Sequence, residues 1–130
     1  MKRLFPLLLA VLALGACQSP ESRVKNVAET FLHAYYTPDY TAAAACCTPE
    51  LGARLVKLGD ELATVPPQTA QRIKEALART SFEIVSVELD EDAASALVRY
   101  ELSVPDLEKP VPKTLSLQLE GRTALVDGIQ

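Results

Sequence analysis

The sequence predicts an α+β domain in which N-terminal helices pack on a curved antiparallel sheet of about four strands. Two observations support this prediction. Apolar residues recur at every third or fourth position over 24–79, as on one face of a helix, and the spacing changes to every second residue after Ser81, as in a strand. Helices followed by consecutive strands are typical of α+β domains rather than of folds that alternate the two.

Four helices are predicted in the first half of the chain. Pro38 ends the first and can begin the second, because proline cannot donate to the helical hydrogen-bond ladder but suits a first turn. The same argument places a helix start at Pro49, capped by Thr48, and a break at Pro66-Pro67. The predicted ranges are 24–36, 39–47, 49–65 and 68–79. The residues expected to face the core from the last two helices are Leu51, Leu55, Leu58, Leu62, Val65, Ala70, Ile73 and Leu77.

Four strands are predicted after the helices. Residues 94–104 have an apolar side chain at every second position from Ala94 to Val104 without a miss, which is typical of a half-buried antiparallel strand. Along the first strand, the apolar residues switch from even to odd positions after Ile84, which indicates a β-bulge or burial of both faces. Residues 105–112 carry three prolines and predict a loop, and Gly121-Arg122 predicts a tight hairpin. The predicted strand ranges are 82–89, 94–104, 115–120 and 123–127.

The first seventeen residues carry a targeting pattern. Met1-Lys2-Arg3 is cationic, and residues 4–14 form an apolar run that is too short to cross roughly 30 Å of hydrocarbon but is typical of an export signal. The run ends at Leu14-Gly15-Ala16-Cys17, which resembles the lipobox of bacterial lipoproteins. This resemblance implies cleavage before Cys17 and lipidation of its thiol. The alternative is a secreted protein cut after Ala16, with a free thiol at Cys17.

These motifs divide the chain into a lipoprotein signal peptide over 1–16, a lipidated cysteine with a flexible tether over 17–23, and a single α+β domain over 24–130. Acyl chains on Cys17 make the membrane the predicted partner, because several chains anchor a protein durably whereas one is marginal. Gln18 follows the cysteine where an aspartate would resemble an inner-membrane retention signal. The outer membrane, facing the periplasm, is therefore the favoured location.

Composition and charge exclude several classes of function. The formal net charge of the chain is −4, and it becomes −6 when Lys2 and Arg3 leave with the leader, which argues against a nucleic-acid partner. The chain has no Trp and one His. A histidine-rich metal site is therefore not expected, and a Ser/His/Asp triad would have to use this single His. No catalytic residue, metal or cofactor is predicted.

Short segments spread over 24–128 share one pattern of packing and capping residues. They are Val27-Ala28-Glu29, Phe31-Leu32, Tyr36, Asp39-Tyr40, Cys47-Thr48-Pro49-Glu50-Leu51 and Leu125-Val126-Asp127-Gly128. In this pattern the chain resembles the small bacterial lipoproteins with a nuclear transport factor 2-like, or cystatin-like, domain. Arg122-Thr123-Ala124 departs from it, because an aromatic residue often enters the last strand of such domains. The resemblance implies a sheet curled around a helix into an open cone, which serves that superfamily as an enzyme pocket, a ligand site or a dimer interface.

The cone is the predicted ligand site. If the first helix packs on the sheet, Tyr35 or Tyr36 shares the cone with Tyr100, and the phenol groups would hydrogen-bond a ligand. The alternative is that these aromatic side chains only fill the core. The residues of the predicted pocket are Phe31, Tyr35, Val98, Tyr100 and Leu117.

Three further features are weaker candidates. A disulfide between the adjacent Cys46 and Cys47 would distort the backbone, so burial of both thiols is favoured over a redox role or an intermolecular disulfide. His33 lies on the polar face of the first helix, one turn after Glu29, which favours solvation over catalysis. The acidic turn Asp90-Glu91-Asp92 is expected to be solvated rather than to bind calcium.

Three functions remain open from the sequence. The first is a lipid-anchored, non-enzymatic envelope domain that binds a small apolar ligand or another envelope protein through the cone. The second is an isomerase or dehydratase on the same fold, which requires an inward-pointing group such as His33 or Asp39. The third is self-association through the outer face of the sheet, although the charges there argue against a large obligate interface. The residues expected on that face are Leu97, Arg99, Glu101, Gln118 and Glu120.

Overall fold

The computed structural model describes residues 19–130, so the predicted signal peptide and Cys17 lie outside the described residues. Four helices precede four strands. The helices are α1 (Pro20–Tyr36), α2 (Tyr40–Ala44), α3 (Pro49–Thr64) and α4 (Pro67–Ala78). The strands are β1 (Ser81–Asp90), β2 (Ser95–Ser103), β3 (Val111–Glu120) and β4 (Thr123–Ile129). The predicted α+β architecture is therefore confirmed. None of the described helices combines the length and the apolarity that crossing a membrane requires.

The strands form one antiparallel sheet in the order β1-β2-β3-β4, and α1 lies against one face of it. Side chains from α1 and from the inward positions of the strands form a single core. The largest side chains that are completely buried are Tyr100, Phe31, Leu32, Leu115, Leu117, Val24, Val98 and Val126. Every second residue of β2 from Ala96 to Tyr100 belongs to this core, which confirms the alternation predicted for that strand.

Helix α1 begins at Pro20, four residues earlier than predicted. The cause is local, because Ser19 accepts a hydrogen bond from the Ser22 backbone N–H at 3.2 Å and so caps a helix that has proline in its first turn. Residues 20–23 are helical, so their assignment to a flexible tether over 17–23 was wrong. The connection between Cys17 and the folded domain is correspondingly shorter.

Helices α3 and α4 pack less tightly than the periodicity suggested. Leu55 is buried, but Leu58 is 39% exposed, and α4 has no fully buried residue. Leu77 is only half-buried at the edge of the core. The prediction that these apolar stripes face the core was therefore partly wrong. An apolar stripe at helical spacing has the same sequence pattern whether other elements bury it completely or only in part.

Strand β1 contains the bulge that its sequence indicated. The register with β2 shifts between Ile84 and Ser86, and the extra residue, Val85, is 58% exposed. Beyond the bulge, Val87 and Leu89 pack against the same core as the residues before it. Of the two alternatives, the bulge is correct and burial on both faces is wrong.

The other turns follow their residue types. Gly121 has φ +58°, the positive value expected for the hairpin between β3 and β4. Strand β3 begins at Val111, inside the predicted loop, and so includes Pro112. Proline is tolerated there because β4 ends at Ile129, opposite Leu115, which leaves the first residues of β3 without a partner strand on that side.

Candidate ligand cleft

Two tyrosines meet where α1 ends above the middle of the sheet. Tyr36 is the last residue of α1 and is 9% exposed, whereas Tyr100 projects from β2 and is 1% exposed. Their hydroxyl oxygens lie 3.1 Å apart, within hydrogen-bonding distance. Of the two tyrosines expected to share the cone with Tyr100, Tyr36 is the one bonded to it.

The direction of this hydrogen bond follows from burial. Each phenol carries one proton, and the pair uses only one of the two. If Tyr36 donated, the proton of Tyr100 would be left without an acceptor among the described residues, at a cost of roughly 1–3 kcal/mol for a buried group. We therefore assign Tyr100 as the donor, because Tyr36 is the more exposed of the two and can offer its proton to another acceptor.

Burial also controls the ionisation of these phenols. Desolvation raises the pKa of Tyr100, and its hydrogen bond to Tyr36 raises that pKa further. Desolvation raises the pKa of Tyr36 as well, while the hydrogen bond from Tyr100 opposes the rise because it stabilises the Tyr36 phenolate. Both groups are neutral hydrogen-bonding phenols near pH 7.

A cleft of about 380 Å³ opens beside Tyr36, between the end of α1, the end of α4 and the start of β1. We call it the Tyr36 cleft. Its residues are His33, Tyr36, Thr37, Leu77, Ala78, Thr80, Ser81 and Phe82. Three of these residues are apolar (Leu77, Ala78 and Phe82), four have polar side chains (His33, Thr37, Thr80 and Ser81), and Tyr36 has an aromatic ring with a hydroxyl. The ring centroids of Tyr36 and Phe82 lie 6.4 Å apart, so the aromatic part of the lining is continuous.

His33 lies at the rim of this cleft rather than inside the core. The residue is exposed, and its ring meets the Phe82 ring edge-on with centroids 6.2 Å apart. It also lines a second, neighbouring cleft together with Lys25 and Glu29. Asp39, the carboxylate considered for catalysis, instead accepts a hydrogen bond from the Ala42 backbone N–H at 3.1 Å and caps α2.

The five residues of the predicted pocket lie in or beside the core. Phe31, Val98 and Leu117 have no exposed surface, and Tyr100 has almost none. Tyr35 is partly buried, and its ring stacks on that of Phe31 with centroids 5.5 Å apart. The structure brings these residues together as packing, and the accessible space lies beside them at the Tyr36 cleft.

Leu77 and Phe82, which line the Tyr36 cleft, were absent from the predicted pocket. Phe82 was recognised as an apolar strand residue, but nothing in the sequence shows that α4 ends beside it. Leu77 was expected to face the core, and it lies at the core edge and in the cleft wall instead. Leu77 and Phe82 come to line the same cleft only through the position of α4 in the folded structure.

Two other clefts differ in chemistry. One, of about 450 Å³, lies between α2, α3 and α4, and Asp39, Asp60 and Lys74 give it a charged lining. Another, of about 280 Å³, lies between the first turn of α1 and the two hairpin turns of the sheet, with Arg23 and Glu91 among its residues. Neither of them reaches the buried pair of phenols.

The adjacent cysteines hold the helical layer against β4. Both thiols are free, and that of Cys47 lies 3.2 Å from the Ala43 carbonyl oxygen. Their backbone bridges to Val126, whose N–H donates to the Cys46 carbonyl at 2.8 Å and whose carbonyl accepts from the Thr48 N–H at 2.9 Å. Their role in the structure is to dock the chain on the edge of the sheet. Within residues 19–130 no cluster of His, Cys, Asp and Glu is arranged to hold a metal ion.

The comparisons with known proteins bear on the fold alone. No protein-family model matches the sequence, and no curated protein matches it either. Among solved structures, the chain is similar to a protein of unknown function with a cystatin-like fold from Methylobium petroleophilum PM1, with 15% identity and a TM-score of 0.53. The match covers 84% of this chain and 74% of the other. A cystatin-like fold is compatible with the domain implied by the resemblance in the sequence.

Proposed function

We propose that this protein is a lipid-anchored component of the bacterial cell envelope, and that its domain binds a small, mainly apolar ligand in the Tyr36 cleft without chemically changing it. The proposal for the anchor is supported by Leu14-Gly15-Ala16-Cys17 at the end of an export-type leader. The favoured location is the periplasmic face of the outer membrane.

The single observation that carries the binding proposal is the 3.1 Å contact between Tyr36 and Tyr100 beside an accessible apolar cleft. Small-molecule sites combine apolar walls with a few fixed polar groups, and here burial fixes the phenols. Because Tyr100 donates to Tyr36, the free proton of Tyr36 favours a ligand with a hydrogen-bond acceptor, such as a carbonyl, an ether or an acid oxygen.

Binding is tested with the apolar anionic dye 1-anilinonaphthalene-8-sulfonate. Tyr36→Phe keeps the ring and removes the hydroxyl, and it should weaken dye binding several-fold. Tyr40→Phe is the matched control, because Tyr40 lines the charged cleft between the helices and is absent from the Tyr36 cleft. If the wild type and Tyr36→Phe bound the dye with equal affinity, the Tyr36 hydroxyl would not be part of the binding site. If Tyr36→Phe and Tyr40→Phe lost dye binding equally, the cause would be a general effect on the fold.

The anchor is tested separately, on protein purified from its native membranes. Its intact mass should show cleavage before Cys17 and acyl groups on the new first residue, and extraction should show whether a small molecule copurifies. Cys17→Ala should release the protein into the soluble periplasmic fraction. If the variant stayed with the membrane, the anchor proposal would be rejected while the binding proposal stood.

An enzymatic role is the second candidate, and one observation favours it. His33 lines the Tyr36 cleft, so an imidazole and a phenol border the same space, as proton transfer next to a carbonyl would require. Isomerisation and dehydration are the reaction types in question. If a carbonyl compound turned over in the presence of the protein and His33→Gln stopped it without weakening binding, the non-enzymatic proposal would be replaced by this one.

A further inference from the structure

The domain has two distinct ends, and the lipid anchor is attached to one of them. Pro20, Glu91 and Gly121 line a common cleft, so the first turn of α1 lies beside the turns between β1 and β2 and between β3 and β4. We call this the anchor-proximal end. The Leu119 backbone N–H donates to the Ala94 carbonyl at 2.8 Å and ties the two turns together.

The Tyr36 cleft lies at the opposite end. It includes the last residue of α1 and the first two residues of β1, while loop 104–110 connects β2 and β3 at this same end. Helix α1 has 17 residues, which gives it a length of about 25 Å. Strand β1 has 10 residues and spans about 30 Å at 3.4 Å per residue. Two independent elements thus separate the cleft from the anchor-proximal end by about 25–30 Å.

The connection to the anchor is shorter than this separation. Cys17 precedes Pro20 by three residues, and three steps of 3.8 Å between Cα atoms span at most about 11 Å. The anchor-proximal end therefore stays close to the headgroups whenever Cys17 is held in the bilayer. The cleft can meet the membrane only if the whole domain lies on its side.

The exposed large apolar side chains of the described domain are not gathered on one side on which it could lie. The large apolar side chains that are exposed are scattered over α3, the outer face of the sheet and loop 104–110. They are Val56, Leu58, Val85, Leu97 and Leu107. The outer face also carries the exposed pair Arg99 and Glu88, 3.5 Å apart, whose charges would lose water in a flat orientation.

We infer that the lipidated domain stands on its anchor-proximal end, with α1 pointing away from the bilayer and the Tyr36 cleft open to the aqueous compartment. This inference rests on the proposed anchor at Cys17. It specifies how the ligand arrives: from water or from a carrier protein, and not by lateral diffusion out of the same membrane. Ligands with measurable solubility in water, or ligands delivered by a second protein, are the class that such a site admits.

The absence of Trp from the sequence makes the orientation measurable. The full lipidated chain is placed in phosphatidylcholine vesicles that contain a lipid with a nitroxide on its headgroup, and a single introduced Trp reports contact with the surface. Glu91→Trp and Arg122→Trp mark the anchor-proximal end and remove charges of opposite sign. Leu107→Trp marks the other end at a position that is already apolar and 53% exposed.

We expect the nitroxide to quench both anchor-proximal variants several-fold more strongly than Leu107→Trp. Agreement between Glu91→Trp and Arg122→Trp excludes an effect of the altered charge. Equal quenching at the two ends, or stronger quenching at Leu107→Trp, would overturn the upright orientation. Insertion of a long Gly-Ser segment between Gln18 and Ser19 should reduce the difference, and a difference that survives the insertion would reject the short connection as its cause.

Failure of the anchor gives a different result from failure of the orientation. Each sample is first checked for acylation of Cys17 by intact mass and for flotation with the vesicles. Protein that is neither acylated nor bound to vesicles contradicts the proposed function. Protein that is acylated and bound, but quenched equally at both ends, contradicts only the orientation.

Discussion

The hydroxyls of Tyr36 and Tyr100 lie 3.1 Å apart, and the hydrogen bond between them, with Tyr100 assigned as the donor, joins the end of α1 to the centre of the sheet. The two residues are 64 positions apart in sequence. Tyr100 is the more deeply buried of the two, so the bond makes the pair asymmetric: one phenol has its proton satisfied, and the other has a proton to offer.

The two phenylalanine substitutions should therefore differ in cost. Tyr36→Phe leaves the buried proton of Tyr100 without an acceptor and should lower the free energy of unfolding by roughly 1–3 kcal/mol. Tyr100→Phe leaves only an acceptor position of Tyr36 empty and should cost about 1 kcal/mol or less. Urea unfolding measured by circular dichroism compares them. If Tyr100→Phe lowered the free energy of unfolding as much as Tyr36→Phe, or more, the assignment of Tyr100 as the donor would be contradicted.

Alkaline pH should destabilise the fold. The pKa values of Tyr36 and Tyr100 are raised from 10.0 by burial, and burial raises the pKa of Cys47 from 9.0 to about 12. In this range the unfolded chain releases protons that the folded chain keeps, so the free energy of unfolding falls as the pH rises through 9.0 and beyond 10.0.

The measurement is urea unfolding at a series of pH values between 9.0 and 12, with phenolate absorbance followed in parallel. Tyr100→Phe is the informative variant, because it removes one raised group and should make the loss of stability with pH less steep. A wild-type stability that stayed constant across this range would contradict the raised pKa values.

The sequence was sufficient for the fold where local pattern and tertiary environment agree. The alternation along β2 predicted its buried face, and the switch after Ile84 predicted the bulge, because each side of a strand has a constant environment. The start of α1 was placed too late because Ser19 and Pro20 look like polar linker residues until a helix is seen to follow them directly. The residue types near a helix end are a weak guide to where the helix begins.

The cleft was less predictable for a physical reason. Phe31 and Val98 were correctly placed on inward faces, but inward residues line a pocket only where the facing elements leave a gap, and here they close completely. Whether a gap remains depends on the position of α4 relative to the start of β1. Leu77 packs against the core from α4, and the half-buried stripe on this helix does not encode where the helix lies.

Gly128 should accept alanine only at the cost of a neighbouring hydrogen bond. A Cβ at this position would lie 2.6 Å from the Ser116 Oγ, which itself donates to an Asp127 carboxylate oxygen at 2.6 Å. Gly128→Ala must rotate that hydroxyl away from Asp127 and should cost about 1 kcal/mol by thermal unfolding. Gly59→Ala is the matched control: its Cβ would lie an ordinary 3.6 Å from Tyr40 inside a helix.

The control should be neutral or stabilise the protein by roughly 0.5–1 kcal/mol, since alanine is favoured over glycine in a helix. In a Ser116→Ala background Gly128→Ala should cost nothing further, because the atom in the way and its hydrogen bond to Asp127 are already absent. If Gly128→Ala cost as much in that background as in the wild type, contact with Ser116 would not be the cause.

The two adjacent thiols should react at different rates. Cys46 is partly exposed, whereas Cys47 is buried and its pKa of about 12 lowers its thiolate fraction by about a thousandfold relative to a pKa of 9.0. Burial raises the pKa of Cys46 as well, so its reaction should be slow but measurable. Iodoacetamide labelling followed by peptide mass spectrometry should find Cys46 modified first, and unfolding in urea should remove the difference. Faster labelling of Cys47 in the folded protein would contradict its buried position.

The bulge at Val85 provides the sharpest test of the sheet. Deletion of Val85 removes the extra residue and leaves Phe82, Ile84, Val87 and Leu89 at alternate positions of a regular strand, all on the inner face. The deletion should therefore cost far less than the roughly 2–4 kcal/mol expected when two half-buried side chains leave the core. Val85→Thr keeps the extra residue and changes only an exposed side chain, so it should alter the free energy of unfolding by at most about 0.5 kcal/mol. Urea unfolding measures both variants, and a loss of several kcal/mol on deletion would mean that the apolar residues on the two sides of Val85 need the bulge to reach the core together.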